Sequence, residues 1–293
     1  MRTMSDKPEI DEVTGVETTG HSWDGIQELN NPLPRWWVWI FYATILFSIG
    51  YMIYYPAVPL IDDFTKGVGG YSSRAELNQE LAAVEAGRAD LVQRIADTDV
   101  TEIPQDDQLM RFAVAGGQAA YKVNCSQCHG SGAQGGYGYP NLNDDAWIWG
   151  GDLASIYTTI AHGVRYDGDD QSRFSMMPAF GADQILGREE IDQLAHYVRG
   201  EAGLDHDAEA AEAASESFLN NCAACHGAEA EGMAALGAPN LSDAIWLYGS
   251  EHDQIVSQIA NPQHGVMPSW VDRLGESTVK QLAVYVHSLG GGQ

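Results

Sequence analysis

Positive charge is what this sequence most lacks. Lys and Arg total 15 against 41 Asp and Glu, a formal charge of −26, and only four of the bases are lysines. A phosphate backbone needs a basic surface, so nucleic acid is excluded as a partner. Docking onto anionic lipid head groups is disfavoured for the same reason. Cysteine is scarce too. There are four, and their spacing rather than their number decides what they do. The 44% apolar fraction is ordinary, and 293 residues suit about two domains.

Long uncharged runs are missing as well, with one exception. The run from Trp36 to Tyr55 contains no Asp, Glu, Lys, Arg or His. As a helix rising about 1.5 Å per residue, it is about 30 Å long, the thickness of a bilayer's hydrocarbon core. Trp36, Trp37 and Trp39 stand at one end and Tyr51, Tyr54 and Tyr55 at the other, the aromatic belts of a spanning helix. Pro56 and Pro59 then stop it. The run is too long and starts too late for a signal peptide, and no small-residue cleavage site follows it, so an uncleaved anchor is expected. Arg35 before it and Lys66 and Arg74 after it leave the positive-inside rule without a direction.

Residues 56–104 read as a spacer. Leu77, Leu81, Val84, Leu91 and Ile95 recur at helical spacing among charges, which suits a juxtamembrane helix and a solvated linker helix equally. Beyond the spacer the chain repeats itself. Cys125-Ser126-Gln127-Cys128-His129-Gly130 matches Cys222-Ala223-Ala224-Cys225-His226-Gly227, and Pro140-Asn141-Leu142 matches Pro239-Asn240-Leu241. Met177-Pro178 matches Met267-Pro268. Each copy closes on an apolar helical stripe: Ile191, Leu194, Ala195 and Val198, then Val279, Leu282, Ala283 and Val286. Two homologous domains follow from these ordered matches, each of helix, Cys cluster, loop, Met-Pro and helix.

Cys-x-x-Cys-His attaches c-type haem. Two thiols at this spacing on a helical turn reach the two vinyl groups on one haem edge, and the next residue points its imidazole at the iron. Cys125 and Cys128 with His129, and Cys222 and Cys225 with His226, then hold two haem c groups and use every cysteine. A four-thiolate zinc site would bring its pairs closer in sequence than these, and a redox dithiol would sit beside a βαβ pattern that is lacking here. For the sixth position a thioether is suitable, and His/Met ligation raises the haem potential. Sequence order pairs Met177 with His129 and Met267 with His226. Met176 and His162 compete for the first place and His264 for the second. His196, His206, His252 and His287 suit surface or packing positions. With both axial positions filled, electron transfer is favoured over oxygen activation or peroxide reduction.

The whole pattern resembles class I cytochrome c twice over, across residues 105–293. In that family a Gly or Ala and an aromatic on the first helix pack against an aromatic on the last. The matching residues are Gly117, Tyr121 and Tyr197, then Ala214, Phe218 and Tyr285. The amino-terminal stretches Gly20-His21-Ser22-Trp23-Asp24-Gly25-Ile26, Asn31-Pro32-Leu33-Pro34-Arg35-Trp36-Trp37 and Tyr54-Tyr55-Pro56 look like the di-haem subunit III of cbb3-type cytochrome c oxidase. The resemblance implies an all-α chain with one N-terminal transmembrane helix followed by two tandem class I cytochrome c domains. Its divisions would be a cytoplasmic tail (1–35), an anchor (36–55), a periplasmic spacer (56–104) and two haem domains (105–204 and 205–293). It implies a bacterial inner-membrane complex that reduces O2 and pumps protons. In such a complex this subunit, with no bond chemistry of its own, takes electrons from a donor cytochrome c and relays them to a mono-haem subunit and the catalytic subunit. A donor steered by the acidic face would react more slowly as salt rises. A stand-alone membrane-anchored di-haem carrier is the rival reading, although it would have no reason to keep the Pro-Leu-Pro-Arg-Trp-Trp anchor. A di-haem peroxidase would need an open sixth position, which both Met-Pro pairs oppose.

Overall fold

The computed structural model describes residues 7–290; the first six residues of the expected tail and the last three of the second repeat lie outside them. Two compact units are distinguished, residues 1–85 and 86–293. In the first, β1 (Thr18–Trp23) and β2 (Ile26–Leu29) pair antiparallel. Asp24 (φ 51°) and Gly25 (φ 87°) make the two-residue turn between them. Both residues have positive φ, which Asp-Gly tolerates best and which matches the twist of a hairpin. The all-α expectation did not include this hairpin. Its inward-facing positions are Thr18 and Gly20, so the strand lacks the apolar alternation that marks a half-buried strand.

α1 (Arg35–Tyr54) is the uncharged run, and none of its residues is buried. It is apolar on all sides, and among the described residues it is the one helix long and apolar enough to cross a membrane. α2 (Ser73–Asp97) carries the spacer's apolar positions. Its last turns belong to the second unit, where Ile95 is fully buried with Leu91 beside it.

The second unit is helical among its described residues. α3 (Asp107–Asn124), α4 (Ser126–His129), α5 (Leu153–His162) and α6 (Arg188–Glu201) come from the first repeat. α7 (Ala208–Asn221), α8 (Ala223–His226), α9 (His252–Ala260), α10 (Val271–Leu274) and α11 (Glu276–His287) come from the second. The apolar stripes of α6 and α11 are buried as their spacing predicts. Their partners are not those that sequence order predicts. α3 packs along α11, and α6 packs along α7. One core joins α3 and α5 to α11, and the other joins α6 to α7 and α9. Each core is therefore assembled from both repeats, and the contiguous spans 105–204 and 205–293 are not the packing units.

The aromatic pairing changes accordingly. Tyr121 packs against Tyr285 (ring centroids 5.5 Å apart) and Phe218 against Tyr197 (4.7 Å). The expected Tyr121–Tyr197 and Phe218–Tyr285 pairs are exchanged. Gly117 lies so close to α11 that a Cβ there would meet the Gln281 backbone and stand 2.6 Å from Tyr285 Cβ.

One physical reason for the exchange lies at an aligned position. α6 and α11 bear near-identical apolar stripes, so either could fill either groove. Lys280 on α11, however, donates to Ala96 O (2.7 Å) and Thr98 O (3.0 Å) at the end of α2, and pairs with Glu276 (2.9 Å). Aligning Val279 with Ile191 puts Asp192 at the same place on α6. A carboxylate cannot donate to two carbonyls, so α6 is the poorer fit beside α2. Lys280 is only 7% exposed. Lys280→Ala should cost about 1–3 kcal/mol, because two half-buried acceptors lose their donor; urea unfolding of the full chain measures it.

Candidate haem sites

Both Cys-x-x-Cys-His motifs fold as the same tight turn. Cys125 ends α3, and the Cys128 and His129 amides donate back to its carbonyl (3.1 and 3.0 Å). Cys222 ends α7, and the Cys225 and His226 amides do likewise (3.0 and 2.9 Å). Gly130 (φ 82°) and Gly227 (φ 81°) then stop each turn in a conformation that favours glycine. Tyr121 Oη donates to Gly130 O (2.9 Å), tying the first turn to the core.

The two histidines are oriented alike. His129 Nδ1 is 3.1 Å from Pro140 O, and His226 Nδ1 is 3.0 Å from Pro239 O. A carbonyl can only accept, so Nδ1 carries the proton and Nε2 is left with its lone pair for a metal. Burial lowers both imidazole pKa values, opposed by those carbonyls, and so favours the neutral, ligating form. The matching Pro-Asn-Leu motifs thereby gain a role that spacing alone did not reveal.

Cys125 and Cys222 lack the lowered pKa of reactive thiols. Burial, with the neighbouring Cys128 or Cys225, pushes Cys125 and Cys222 up to about 11. A redox dithiol needs the opposite shift. Among the described residues, the cysteines form no cluster of metal-ligating groups.

The methionines follow the crossed packing. Met267 packs against the core that holds Cys125 and Leu142, and Val164 and Met267 exchange both backbone hydrogen bonds (2.9 Å each). Met177 packs against the core that holds Cys222 and Leu241. Sequence order implies the reverse pairing, Met177 with His129 and Met267 with His226. Met176 is 55% exposed. His162 is held by Asp169 (3.1 Å). His264 lies beside the Met177 backbone and Arg165.

Two half-buried arginines sit between these loops. Arg165 donates from Nε to Gly265 O (2.7 Å) and from a terminal nitrogen to Ser175 O (3.1 Å). It thus grips the approach to Met267 and the approach to Met177 at once. Arg173 donates to Ser155 O (3.2 Å) and lies over Trp149, while its buried Nε has no partner. Neither arginine has a carboxylate within ion-pair distance among the described residues, in a chain with 41 acids. Two half-buried cations with no ion-pair partner suit an anionic ligand, and the propionates of a bound haem would supply that charge. The residues fit the group.

Three family models match consecutive parts of the chain. The N-terminal domain of cytochrome oxidase-cbb3, FixP, covers residues 15–62; cytochrome c covers 114–201; and cytochrome C oxidase, cbb3-type, subunit III covers 209–286. Relatives match from end to end. A cbb3-type cytochrome c oxidase subunit of Rhizobium leguminosarum bv. viciae is 56% identical over 99% of this chain and 100% of its own length. The chain belongs to the cbb3-type cytochrome c oxidase subunit III family. The corresponding subunit of Sinorhizobium medicae is 55% identical over the same shares, and that of Cereibacter sphaeroides 48%. As a subunit III it is an electron-transfer component of the oxidase complex. Subunit III membership accounts for the anchor and the hairpin before it, both inside the first matched region. The two Cys-x-x-Cys pairs in its cytochrome c regions are consistent with haem c.

Proposed function

We propose that this subunit III chain carries two covalent haem c groups and passes electrons from a donor cytochrome c toward the mono-haem and catalytic subunits of its oxidase. Cys125 and Cys128 hold one ring and Cys222 and Cys225 the other. His129 with Met267 and His226 with Met177 fill the axial positions. The observation that carries this reading is the pair of matched Cys-x-x-Cys-His turns, each with an oriented imidazole and each sharing a core with a methionine.

Haem iron, when bound, supplies a one-electron Fe(III)/Fe(II) couple. The chain's own residues fix how that couple is used. Two protein ligands per iron leave no position for O2, so O2 reduction belongs elsewhere in the complex. The loops that orient the two histidines meet across one cavity of about 430 Å³, lined by Pro140, Asn141, Trp147, Pro239, Asn240 and Trp246. The Gly138 amide donates to Leu247 O (2.8 Å), and Tyr137 packs edge-on against Tyr248 (5.8 Å). Holding the two haem-bearing loops face to face favours transfer from one haem to the other within the chain.

Orientation follows from the attachment chemistry. Haem is joined to this motif on the periplasmic side in bacteria. Residues 56–293 then face the periplasm and the tail the cytoplasm, with α1 in the inner membrane. Purification in mild detergent tests the assignment. The expected result is co-elution with a copper- and b-haem-containing subunit, with two c-type haems per copy of this chain. A clean single subunit would favour the stand-alone carrier instead.

A further inference from the structure

A second group of metal-ligating side chains lies outside the haem sites. Asp192 and His196 stand one turn apart on α6, and His252 is the first residue of α9. Their ligand atoms all lie within 4.8 Å of one another. The two imidazoles are 4.3 Å apart between centroids and tilted by 32°. His252 Nε2 is 3.4 Å from Asp192 Oδ1, and its Nδ1 is 3.5 Å from Asp253 Oδ1. His196 Nδ1 is 3.3 Å from the Asp207 amide nitrogen.

These distances fit a metal site better than a set of closed ion pairs. A charge-assisted hydrogen bond between imidazole and carboxylate closes to about 2.7–2.9 Å. None of the polar contacts around His196 and His252 does so. The two rings lie close enough for one ion to reach a nitrogen of each. Around a tetrahedral Zn2+ with bonds of about 2.0–2.1 Å, neighbouring ligand atoms lie about 3.3 Å apart. The Asp192–His252 separation is already close to that length. Two imidazoles and a carboxylate are also the donor set that zinc accepts, and the −26 charge draws cations toward the chain.

We propose that Asp192, His196 and His252 bind one Zn2+ ion, with water completing the tetrahedron. His196 coordinates through Nε2. Its Nδ1 then carries the proton, and the long contacts of His196 with the Asp207 amide and of His252 with Asp192 O are given up. The ion clamps α6 of the first repeat to α9 of the second, and so locks the crossed assembly of that core. Asp192 is the residue aligned with Lys280. One aligned position thus carries the donor that keeps α11 beside α2 and the acid that anchors the cation on α6.

Equilibrium competition tests this on the haem-loaded, full-length chain in detergent, stripped with a chelator and titrated with Zn2+ against a chromophoric chelator. The wild-type chain should hold one more tight Zn2+ than the H196A/H252A double variant. D192N and H252Q should each weaken that site at least tenfold while leaving the visible haem spectrum unchanged. Zn2+ should raise the thermal midpoint of the wild type and not that of the double variant. Equal stoichiometry and affinity in the wild-type and double-variant chains would overturn the proposal, as would the absence of a tight site in the wild type. The near-isosteric D192N and H252Q variants keep the test decisive if the double variant folds poorly.

Discussion

Replacing Met267 with alanine should unseat the sixth ligand of the haem held by Cys125 and Cys128, and leave the haem held by Cys222 and Cys225 intact. Sequence order predicts the opposite. The expectation rests on the core that Met267 shares with Cys125, and on its paired backbone bonds to Val164, just after α5. Chains carrying one haem make the test clean. In a C222S/C225S background, M267A should abolish the methionine–iron charge-transfer band. It should also lower the haem potential by more than about 60 mV, a tenfold change in a one-electron equilibrium. M177A in that background should do neither. In the complementary C125S/C128S background the two variants should change places.

Arg165→Gln should disturb both haems at once. A single guanidinium holds Gly265 O and Ser175 O, each just ahead of its methionine, Met267 and Met177 respectively. Its half-buried charge has no carboxylate neighbour within ion-pair distance among the described residues, and burial draws its pKa down from the ordinary arginine value. A desolvated cation favours whatever anionic group lies beside it, and it disfavours the oxidised, more positive iron. Removing it should lower both potentials, each by roughly 60 mV or more, with both methionine bands weakened. Arg165→Lys keeps the charge but not the two-armed grip. It should restore much of the potential while the bands remain weak. A shift confined to one haem would show that Arg165 serves one loop only.

Much of the molecule is legible in the sequence because its signals are local. Cys-x-x-Cys-His is set within a single turn, and the apolar stripes of α6 and α11 lie within single helices. The uncharged run from Trp36 to Tyr55 marks its own span. The hairpin at Asp24-Gly25 was not legible, because its strands carry polar and small residues where a strand signal needs apolar ones. Nor was the partnership between distant elements. The stretches from His129 to Met177 and from His226 to Met267 are similar in length, and they fit contiguous folding as well as crossed folding. The choice depends on contacts between remote residues: Lys280 on the carbonyls at the end of α2, and Gly117 against Gln281 and Tyr285. Spacing cannot show these. His196 and His252 read as ordinary surface or packing histidines for the same reason, since they lie far apart in sequence although their rings pack together.

Lys280 is the one buried lysine among the described residues. A single ammonium satisfies two main-chain acceptors and one carboxylate where α2 meets α11. Truncating it therefore acts on the seam between the spacer and the last helix, not on either haem site. The two arginines between the methionine loops act at the sites themselves.

The most direct test of the account is a structure of the haem-loaded chain within its oxidase, at a resolution that shows methionine sulfur. The prediction is Met267 Sδ on the iron bound by His129, and Met177 Sδ on the iron bound by His226. Finding Met177 Sδ on the iron bound by His129 would contradict it.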